Sequence, residues 1–493
     1  MKNIFLLMLF SLIYVLHIKA QQTPVRVVYW LHGLGGDDAA WSQAASATVE
    51  GTTDYPSRRI QAFELGYEHQ NSSLMSAAVY LQGEILKDGN SAAQAYGLTD
   101  RSNNFMIAHS QGGIVARRLD KLYSGTGLLR DVYGIVTFGT PHQGAMIINN
   151  IPNFTGFIDA GCNDLLAGPV KEAIDNSFIV YFKDTGPIVR DILSPLCNVL
   201  SNAAPLTLSQ FTTPITQEFK VGAPEISDLN DFDNNLLGGS PVQHKVAFYG
   251  VEDPQTAVWR VLYNILLKKP NEFPAFGADD DSPLLTKVQS NINNYQAKEV
   301  QAQNDYYNSA SQYCNWLQWI SSPTYCTIND ALVNSYRNNA LSRRDAWQTG
   351  VDWWNTAPDR FNLLTGAKSY DPVTVNTYNC NCVTVDYNGH VISQWSQQTT
   401  DLADCASGGG NGNFKYCSST IIGTSTSYIA TNHDSDGIVV KESAINYPGV
   451  QTTNTAVMQG SNHQQMRNDS NTKARLNELF GGTRFDNYFA TPH

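Results

Sequence analysis

The sequence predicts an α/β protein in which a mostly parallel sheet is covered by helices. Short runs of apolar and β-branched residues alternate along the chain with segments of helical spacing, which is the pattern of βα units. Two of these runs, residues 25–31 and 104–108, stop abruptly at glycine-rich turns. Such runs are typical of strands buried on both faces of a parallel sheet. Further strands are predicted at residues 59–63, 133–138, 244–249 and 456–458, with helices at 71–87 and 114–123.

The N-terminus has the layout of a secretory signal peptide. Lys2 precedes an apolar run over residues 4–16, and Ala20 stands at the expected cleavage point before Gln21. We expect residues 1–20 to be removed and the protein to be secreted, either to the periplasm or out of the cell. The run is too short to span a bilayer comfortably, and no later segment is long and apolar enough, so no stable membrane span is expected.

The charge of the chain narrows the choice of partners. The 493 residues carry a formal net charge of −12 at pH 7, and removal of the signal peptide takes away Lys2 and Lys19 and leaves −14. An acidic chain without a basic stripe is poorly suited to nucleic acid or to an anionic membrane surface. No nucleic-acid partner is therefore expected.

Eight cysteines follow the signal peptide, and an even number in an exported chain predicts disulfides. A zinc site is the alternative for Cys380 and Cys382, but the two-residue spacing that zinc ligands usually show is absent. The clustering leaves the order of the last two bridges open. The predicted bridges are Cys162–Cys197, Cys314–Cys326, and two that join Cys380 and Cys382 to Cys405 and Cys417.

Two stretches interrupt the alternation of strands and helices. Residues 150–240 show a mixed secondary-structure pattern broken by Pro, Gly and Asn, and they resemble a cap. Residues 270–420 are predicted to form an insertion. Within it, 282–356 have the spacing of a long helical hairpin, and 380–420 carry a β-hairpin signal at Asn388-Gly389 and most of the late cysteines. The predicted core therefore comprises 21–269 and 421–493.

The motif Ala108-His109-Ser110-Gln111-Gly112-Gly113 lies between a predicted strand and a predicted helix. A nucleophile in such a strained turn needs tiny residues two positions before and after it, and Ala108 and Gly112 meet that need. Alanine replaces the glycine usual at the first of these positions. A phosphate-binding loop is the alternative, but it would contain more glycine and often a lysine. The motif predicts Ser110 as the nucleophile.

A second glycine-rich turn, His32-Gly33-Leu34-Gly35-Gly36, follows the first predicted strand. Acyl transfer places negative charge on the carbonyl oxygen, and backbone N–H groups directed at that oxygen stabilise it. The predicted donors of this oxyanion hole are the N–H groups of Leu34 and Gln111.

A base and an orienting acid are expected later in the chain. His463 lies in the loop after the last predicted strand, which is where a base must stand to face the turn at Ser110. The acid has three candidates from the residues alone: Asp434 and Asp436 lie about a strand-length before His463, and Asp253 directly follows the strand at 244–249.

With these motifs in place, the chain resembles the lipase-type α/β-hydrolases, including bacterial triacylglycerol lipases and the GPI inositol-deacylase-like group. The resemblance covers residues 24–150, 240–260 and 421–480. It leaves the insertion without a counterpart. The motifs that carry it are the His-Gly-x-Gly-Gly turn, the turn at Ser110, residues 138–144 (FGTPHQG), residues 436–439 (DGIV) and Asn462-His463.

This resemblance implies an α/β-hydrolase fold and a carboxylic ester hydrolase that forms an acyl-enzyme on Ser110. His463 acts as the base, Asp436 as the acid, with Asp253 and Asp434 in reserve, and the substrate is an ester or lipid. No cofactor is required, and no metal is predicted, because the acidic run at 279–281 fits a helix start. The alternatives are an amidase or thioesterase with the same triad, or a non-catalytic binding or adhesion protein. The tryptophans of the hairpin fit either a lid over an acyl pocket or a helix-packing seam: Trp316, Trp319, Trp347, Trp353 and Trp354.

Overall fold

The computed structural model describes residues 23–67, 72–126, 128–175, 212–262, 275–278, 283–410 and 412–493. The predicted signal peptide, Cys197 and the acidic run at 279–281 lie outside these residues. Two compact units are distinguished, one formed by Met1–Ala367 with His433–His493 and the other by Lys368–Asn432.

The larger unit is built on a six-stranded sheet in which all neighbouring strands are parallel. The strand order is β10-β5-β4-β3-β1-β2. Strands β1, β3 and β4 are buried along their whole length, which is why their sequences are continuously apolar rather than alternating. The strands are β1 Arg26–Leu31, β2 Ile60–Leu65, β3 Phe105–His109, β4 Gly134–Phe138, β5 His244–Val251 and β10 Thr455–Gln459.

Helices follow most of the strands and cover the sheet with two hydrophobic clusters, one on each side. A helix of 23 residues beside the sheet is preceded by the N-cap Ser73, whose hydroxyl accepts the N–H of Ser76 (3.1 Å), and is followed by Gly97 with φ +70°. It runs nine residues past the predicted end at 87, because Ala92 continues the buried face. These helices are α1 Ser42–Glu50, α2 Leu74–Tyr96, α3 Gln111–Thr126, α4 Met146–Asn149, α5 Ile151–Asp175, α6 Pro214–Gln217, α7 Pro224–Asp233 and α8 Ala257–Leu262.

The predicted helical hairpin is present in this unit. Its arms are α9 Pro283–Asn308 and α11 Pro323–Thr365, with the short α10 Trp316–Ser321 between them and a disulfide from Cys314 to Cys326. The second arm passes through Pro358 and ends at Thr365, nine residues beyond the predicted 356, and is followed by Gly366 (φ +81°). The unit is completed by α12 Lys441–Ile445 and α13 Ser470–Gly481.

The structure divides the five hairpin tryptophans into two groups. Trp347, Trp353 and Trp354 are at most 3% exposed, and Trp353 and Trp354 pack on Phe157 and Trp259 with ring centroids 5.7 and 4.7 Å apart. These three form a packing seam. Trp316 and Trp319 are instead 69% and 40% exposed.

The smaller unit is an antiparallel sheet with the order β7-β6-β9-β8. It holds the disulfides Cys380–Cys405 and Cys382–Cys417, which resolve the order that the sequence left open. The strands of this sheet extend beyond the predicted segment 380–420 at both ends, because β6 begins at Lys368 and β9 continues to Asn432. That strand is almost entirely exposed and rich in Ser and Thr, so it lacks the alternation that marks a half-buried strand. The strands are β6 Lys368–Val385, β7 Val391–Thr399, β8 Gly408–Gly410 and β9 Asn413–Asn432.

Six parallel strands in this order, helices on both faces and the inserted hairpin and disulfide-bonded sheet confirm the predicted α/β-hydrolase fold class. Among the described residues, no helix is long and apolar enough to cross a membrane.

Candidate active site

Ser110 occupies a sharp turn between β3 and α3. It has φ +53°, a left-handed conformation that costs a non-glycine residue roughly 1–2 kcal/mol. The turn is held by the N–H of Ser110, which donates to the carbonyl of Phe138 (2.9 Å), and by the N–H of Gly113, which donates to the carbonyl of Ser110 (3.0 Å). The strained turn places the hydroxyl at the carboxyl end of the sheet, as the sequence motif predicts.

The small residue after the turn is required by the close approach of β1. A Cβ on Gly112 would lie 2.3 Å from the carbonyl oxygen of His32, so any side chain there would displace the backbone. Ala108, on the other side of Ser110, is completely buried within the sheet. The motif is therefore explained by packing against the neighbouring strand.

A chain of hydrogen bonds links three of the predicted residues. His463 Nε2 lies 2.8 Å from Ser110 Oγ, and His463 Nδ1 lies 2.7 Å from Asp436 Oδ2. An ionised carboxylate only accepts, so Nδ1 carries the proton and donates to Asp436, which leaves Nε2 to accept from the Ser110 hydroxyl. This tautomer is the one that a general base requires.

The carboxylate of Asp436 is held from its other side by backbone donors. Its Oδ1 accepts the N–H groups of Ile438 (2.9 Å) and Val439 (2.8 Å), and the side chain is fully buried. The preceding residue is tied to the end of β5, where the N–H of Glu252 donates to the carbonyl of Ser435 (2.7 Å). These two backbone donors hold Oδ1 and direct Oδ2 toward His463.

The two reserve acids point elsewhere. Asp253 is exposed and accepts the N–H of Gln255 (2.9 Å), and Asp434 is exposed and pairs with Lys441 (3.2 Å). Neither carboxylate is directed at His463. Geometry therefore favours Asp436 over both alternatives.

The predicted oxyanion donors lie on either side of Ser110. Gln111 is the first residue of α3, where backbone N–H groups have no partner within the helix. Leu34 belongs to a turn closed by the N–H of Gly36 and the carbonyl of Gly33 (3.1 Å). A Cβ on Gly33 would lie 2.8 Å from the Cβ of Ser110, so this turn touches the turn at Ser110.

A cavity opens at the Ser110 hydroxyl. The cavity and the open space at its mouth together measure about 580 Å³, and most of the lining is apolar. Among the described residues that line it, Ser110, His109, His463 and Gln464 contribute polar side chains. The apolar residues come from the turn after β1, the segment after β4 and the loop that carries Asp436: Leu34, Pro141, Ala145, Ile147, Ile148, Phe219, Ile438 and Val439.

Several residues that shape this site were not predicted from the sequence. His109 Nε2 donates to the backbone carbonyl of His463 (2.7 Å), and the two rings lie 4.7 Å apart, so His109 helps hold the loop of the candidate base. The position of His109 directly before Ser110 in the motif was a sequence feature that could have indicated this role. Phe219 and the apolar residues of α4 carry no chemical signature, and only the fold brings them to the cavity.

Two buried histidines make stability depend on pH. Burial lowers the pKa of His109 and of His142 well below the usual value, and Arg117 and Lys245 lower that of His142 further. The unfolded chain takes up protons below about pH 6.5, whereas these folded imidazoles stay neutral. We expect the stability present above that pH to fall by about 1.4 kcal/mol per pH unit for each imidazole as the pH drops.

Urea unfolding at pH 7.5 and 5.5 measures this loss. His142→Gln is expected to show a smaller difference between the two pH values than the unchanged protein, because one of the two imidazoles is gone. The amide can still meet Thr137, whose hydroxyl lies 3.1 Å from His142 Nε2. An unchanged pH difference in this variant would exclude His142 as a contributor.

Within the described parts of the chain, no cluster of three or more His, Cys, Asp or Glu side chains could hold a metal ion. The residues that surround Ser110 include one carboxylate, Asp436, and its oxygens are occupied by His463 and by backbone N–H groups. The described site therefore consists of protein groups suited to proton transfer.

The chain matches no protein-family model and no curated protein. Three solved hydrolases resemble it. The mature lipase BlEst2 of Bacillus licheniformis is 15% identical, with 50% of this chain and 76% of that chain covered at a TM-score of 0.26. Phospholipase PlaB of Legionella pneumophila is 10% identical, with 74% and 72% covered at a TM-score of 0.29. The peroxisomal α/β-hydrolase Lpx1 of Saccharomyces cerevisiae is 13% identical, with 51% and 69% covered at a TM-score of 0.26.

These similarities are too low to carry an argument about activity. The fold assignment rests instead on this chain's own strand order and on the turn at Ser110.

Proposed function

We propose that this protein is a secreted serine hydrolase that cleaves carboxylic esters of apolar acyl groups. The observation that carries the proposal is the hydrogen-bonded chain Ser110–His463–Asp436 at the mouth of an apolar cavity. The triad provides an activated nucleophile for ester cleavage, and the apolar cavity provides a site for the hydrocarbon chain of the acyl group.

The reaction begins when Ser110 Oγ attacks the ester carbonyl and passes its proton to His463 Nε2. The negative charge of Asp436 stabilises the imidazolium that forms, and the N–H groups of Leu34 and Gln111 stabilise the oxyanion. Collapse of the tetrahedral intermediate transfers the proton to the leaving alcohol and leaves an acyl group on Ser110. Water then attacks this acyl-enzyme, with His463 again as base, and releases the carboxylic acid.

Secretion is part of the proposal. The signal-peptide pattern over residues 1–20 supports it, as do the disulfides Cys314–Cys326, Cys380–Cys405 and Cys382–Cys417, since such bonds persist in oxidising compartments.

The acyl preference provides the direct test. The mature protein is expected to hydrolyse p-nitrophenyl octanoate with a higher kcat/KM than the acetate, because a longer chain buries more apolar surface in the cavity. Ala145→Leu narrows the cavity and is expected to lower kcat/KM for octanoate by about tenfold, a loss near 1.4 kcal/mol. The rate with acetate serves as the internal control and should change little.

Three outcomes would contradict the proposal. A parallel loss for acetate and octanoate in Ala145→Leu would show that the substitution disturbs the triad or the fold rather than the acyl site. Faster hydrolysis of octanoyl p-nitroanilide than of the octanoate ester would favour the amidase alternative. A protein that binds these esters without hydrolysing any of them would favour the non-catalytic alternative.

A further inference from the structure

An exposed apolar surface lies at the end of the helical hairpin, far from the packing seam. We call it the apolar tip. All six residues of α10 are exposed, and the first turns of α11 continue the surface. Soluble proteins seldom expose so many large apolar side chains together unless something binds there. The apolar tip consists of Trp316 (69% exposed), Leu317 (58%), Trp319 (40%), Ile320 (72%), Tyr325 (61%), Ile328 (59%), Leu332 (66%) and Tyr336 (44%).

The apolar tip is held in shape by interactions that leave its apolar side chains outside. Asn315 and Gln318 form a reciprocal capping box at the start of α10, with hydrogen bonds of 3.0 and 2.8 Å. The Cys314–Cys326 disulfide closes the loop that contains this helix. A surface that is already ordered loses little conformational entropy on binding. Its exposure is therefore a property of a defined structure.

The arrangement of these side chains fits a flat surface. On α11, Tyr325, Ile328, Leu332 and Tyr336 recur at spacings of three and four residues, so they form one stripe along the helix. Trp316 and Ile320 have the same relation on α10. Helices with one apolar stripe and a polar opposite side can lie in the plane of a lipid interface with the stripe buried.

Composition identifies the kind of lipid. Residues 306–336, which include the whole apolar tip, contain one acid, Asp330, and no Lys, Arg or His, so the apolar tip itself offers no cation to an anionic headgroup. Trp and Tyr, which supply half of its side chains, are the residues enriched at membrane–water interfaces. We propose that the apolar tip docks the protein on the surface of a zwitterionic phospholipid layer.

The apolar tip acts as an anchor rather than as a lid. The arm α11 has 43 residues and is roughly 60 Å long at the rise of an α-helix. Its C-terminal end, not its tip, lies beside the cavity, because a Cβ on Gly366 would be 3.2 Å from Met146 Cβ in α4. The choice of lipid as partner rests on the proposed function, whereas the exposed surface itself does not.

Cosedimentation with phosphatidylcholine vesicles tests the docking. The mature protein is expected to bind, and the double variant Trp316→Gln, Ile320→Gln is expected to lose affinity by about tenfold or more, because two large side chains no longer leave water. The matched control is Leu236→Gln, Leu237→Gln, which removes two exposed leucines (70% and 55%) elsewhere on the larger unit and is expected to bind normally. All three proteins should hydrolyse a soluble p-nitrophenyl ester at the same rate.

Three results would overturn the docking proposal. These are absent binding by the unchanged protein, equal binding by the tip variant, and a mass in light scattering that falls from dimer to monomer in the tip variant. The last would assign the apolar tip to a second copy of this chain. The two proposals are separated by Ser110→Ala, which should bind vesicles fully. Vesicle binding without any ester hydrolysis by the unchanged protein would overturn the proposed function alone.

Discussion

Replacement of Ser110 by alanine is expected to lower kcat for p-nitrophenyl octanoate by about 10⁵-fold or more. The reason is that the hydroxyl oxygen is the atom that bonds to the substrate, and it lies 2.8 Å from His463 Nε2, the nitrogen that takes up its proton. Alanine keeps the Cβ that this turn already accommodates at φ +53°, so the midpoint of urea unfolding should hardly move. Steady-state kinetics and urea unfolding on the same preparations provide the measurement.

A covalent probe adds an independent control to this prediction. A fluorophosphonate should label the unchanged protein with one adduct per chain, and peptide mass spectrometry should place it on Ser110. The alanine variant should remain unlabelled. Retained hydrolysis by Ser110→Ala, or an adduct on another serine, would contradict the assignment of the nucleophile.

Replacement of Asp436 by asparagine is expected to lower kcat by about 10⁴-fold with little loss of structure. The amide oxygen can still accept the N–H groups of Ile438 and Val439. Its NH₂ group then faces His463 Nδ1, so that nitrogen must accept and the ring proton moves to Nε2. An Nε2 that carries a proton can no longer accept the proton of Ser110.

The chain offers matched controls for this change in the two reserve acids. Asp253→Asn and Asp434→Asn remove the same charge from exposed carboxylates that bond to Gln255 and Lys441, and both should keep nearly full kcat. A loss of kcat in either control that exceeds the loss in Asp436→Asn would transfer the role of the acid to that residue.

The candidate acid and the end of β5 are far apart in the sequence but adjacent in the fold. The helical hairpin and the smaller unit lie between β5 and the loop of Asp436 along the chain, yet the N–H of Glu252 donates to the carbonyl of Ser435. The hairpin and the smaller unit therefore do not separate the end of β5 from the loop of Asp436. Such an arrangement allows surfaces for partners to be added while the candidate triad stays on the sheet.

The strands of the sheet and the turn at Ser110 could be predicted from the amino-acid pattern alone. Residues 25–31, 104–108 and 133–138 were predicted as strands and are found as β1, β3 and β4, each shifted by at most one residue at either end. These strands could be predicted because strands buried on both faces of a sheet are apolar along most of their length. The turn could be predicted because steric crowding at the end of β1 restricts the residue types around Ser110.

The tertiary structure, and not the spacing of residues along the chain, shows which candidate acid lies beside His463, which cysteines of the smaller unit pair and which residues line the cavity. The sequence positions of Asp434, Asp436 and Asp253 are all compatible with the role of the acid. A hydrogen bond, however, requires a close distance and a favourable angle between its two groups. Of these three carboxylates, only that of Asp436 is directed at His463. Cys382 pairs with Cys417 because the two residues lie directly opposite each other on β6 and β9, and Cys380 pairs with Cys405. Phe219 and Ile148 line the cavity from segments distant in the chain. Apolar side chains carry no mark of the surface they will meet, since the hydrophobic effect has no direction.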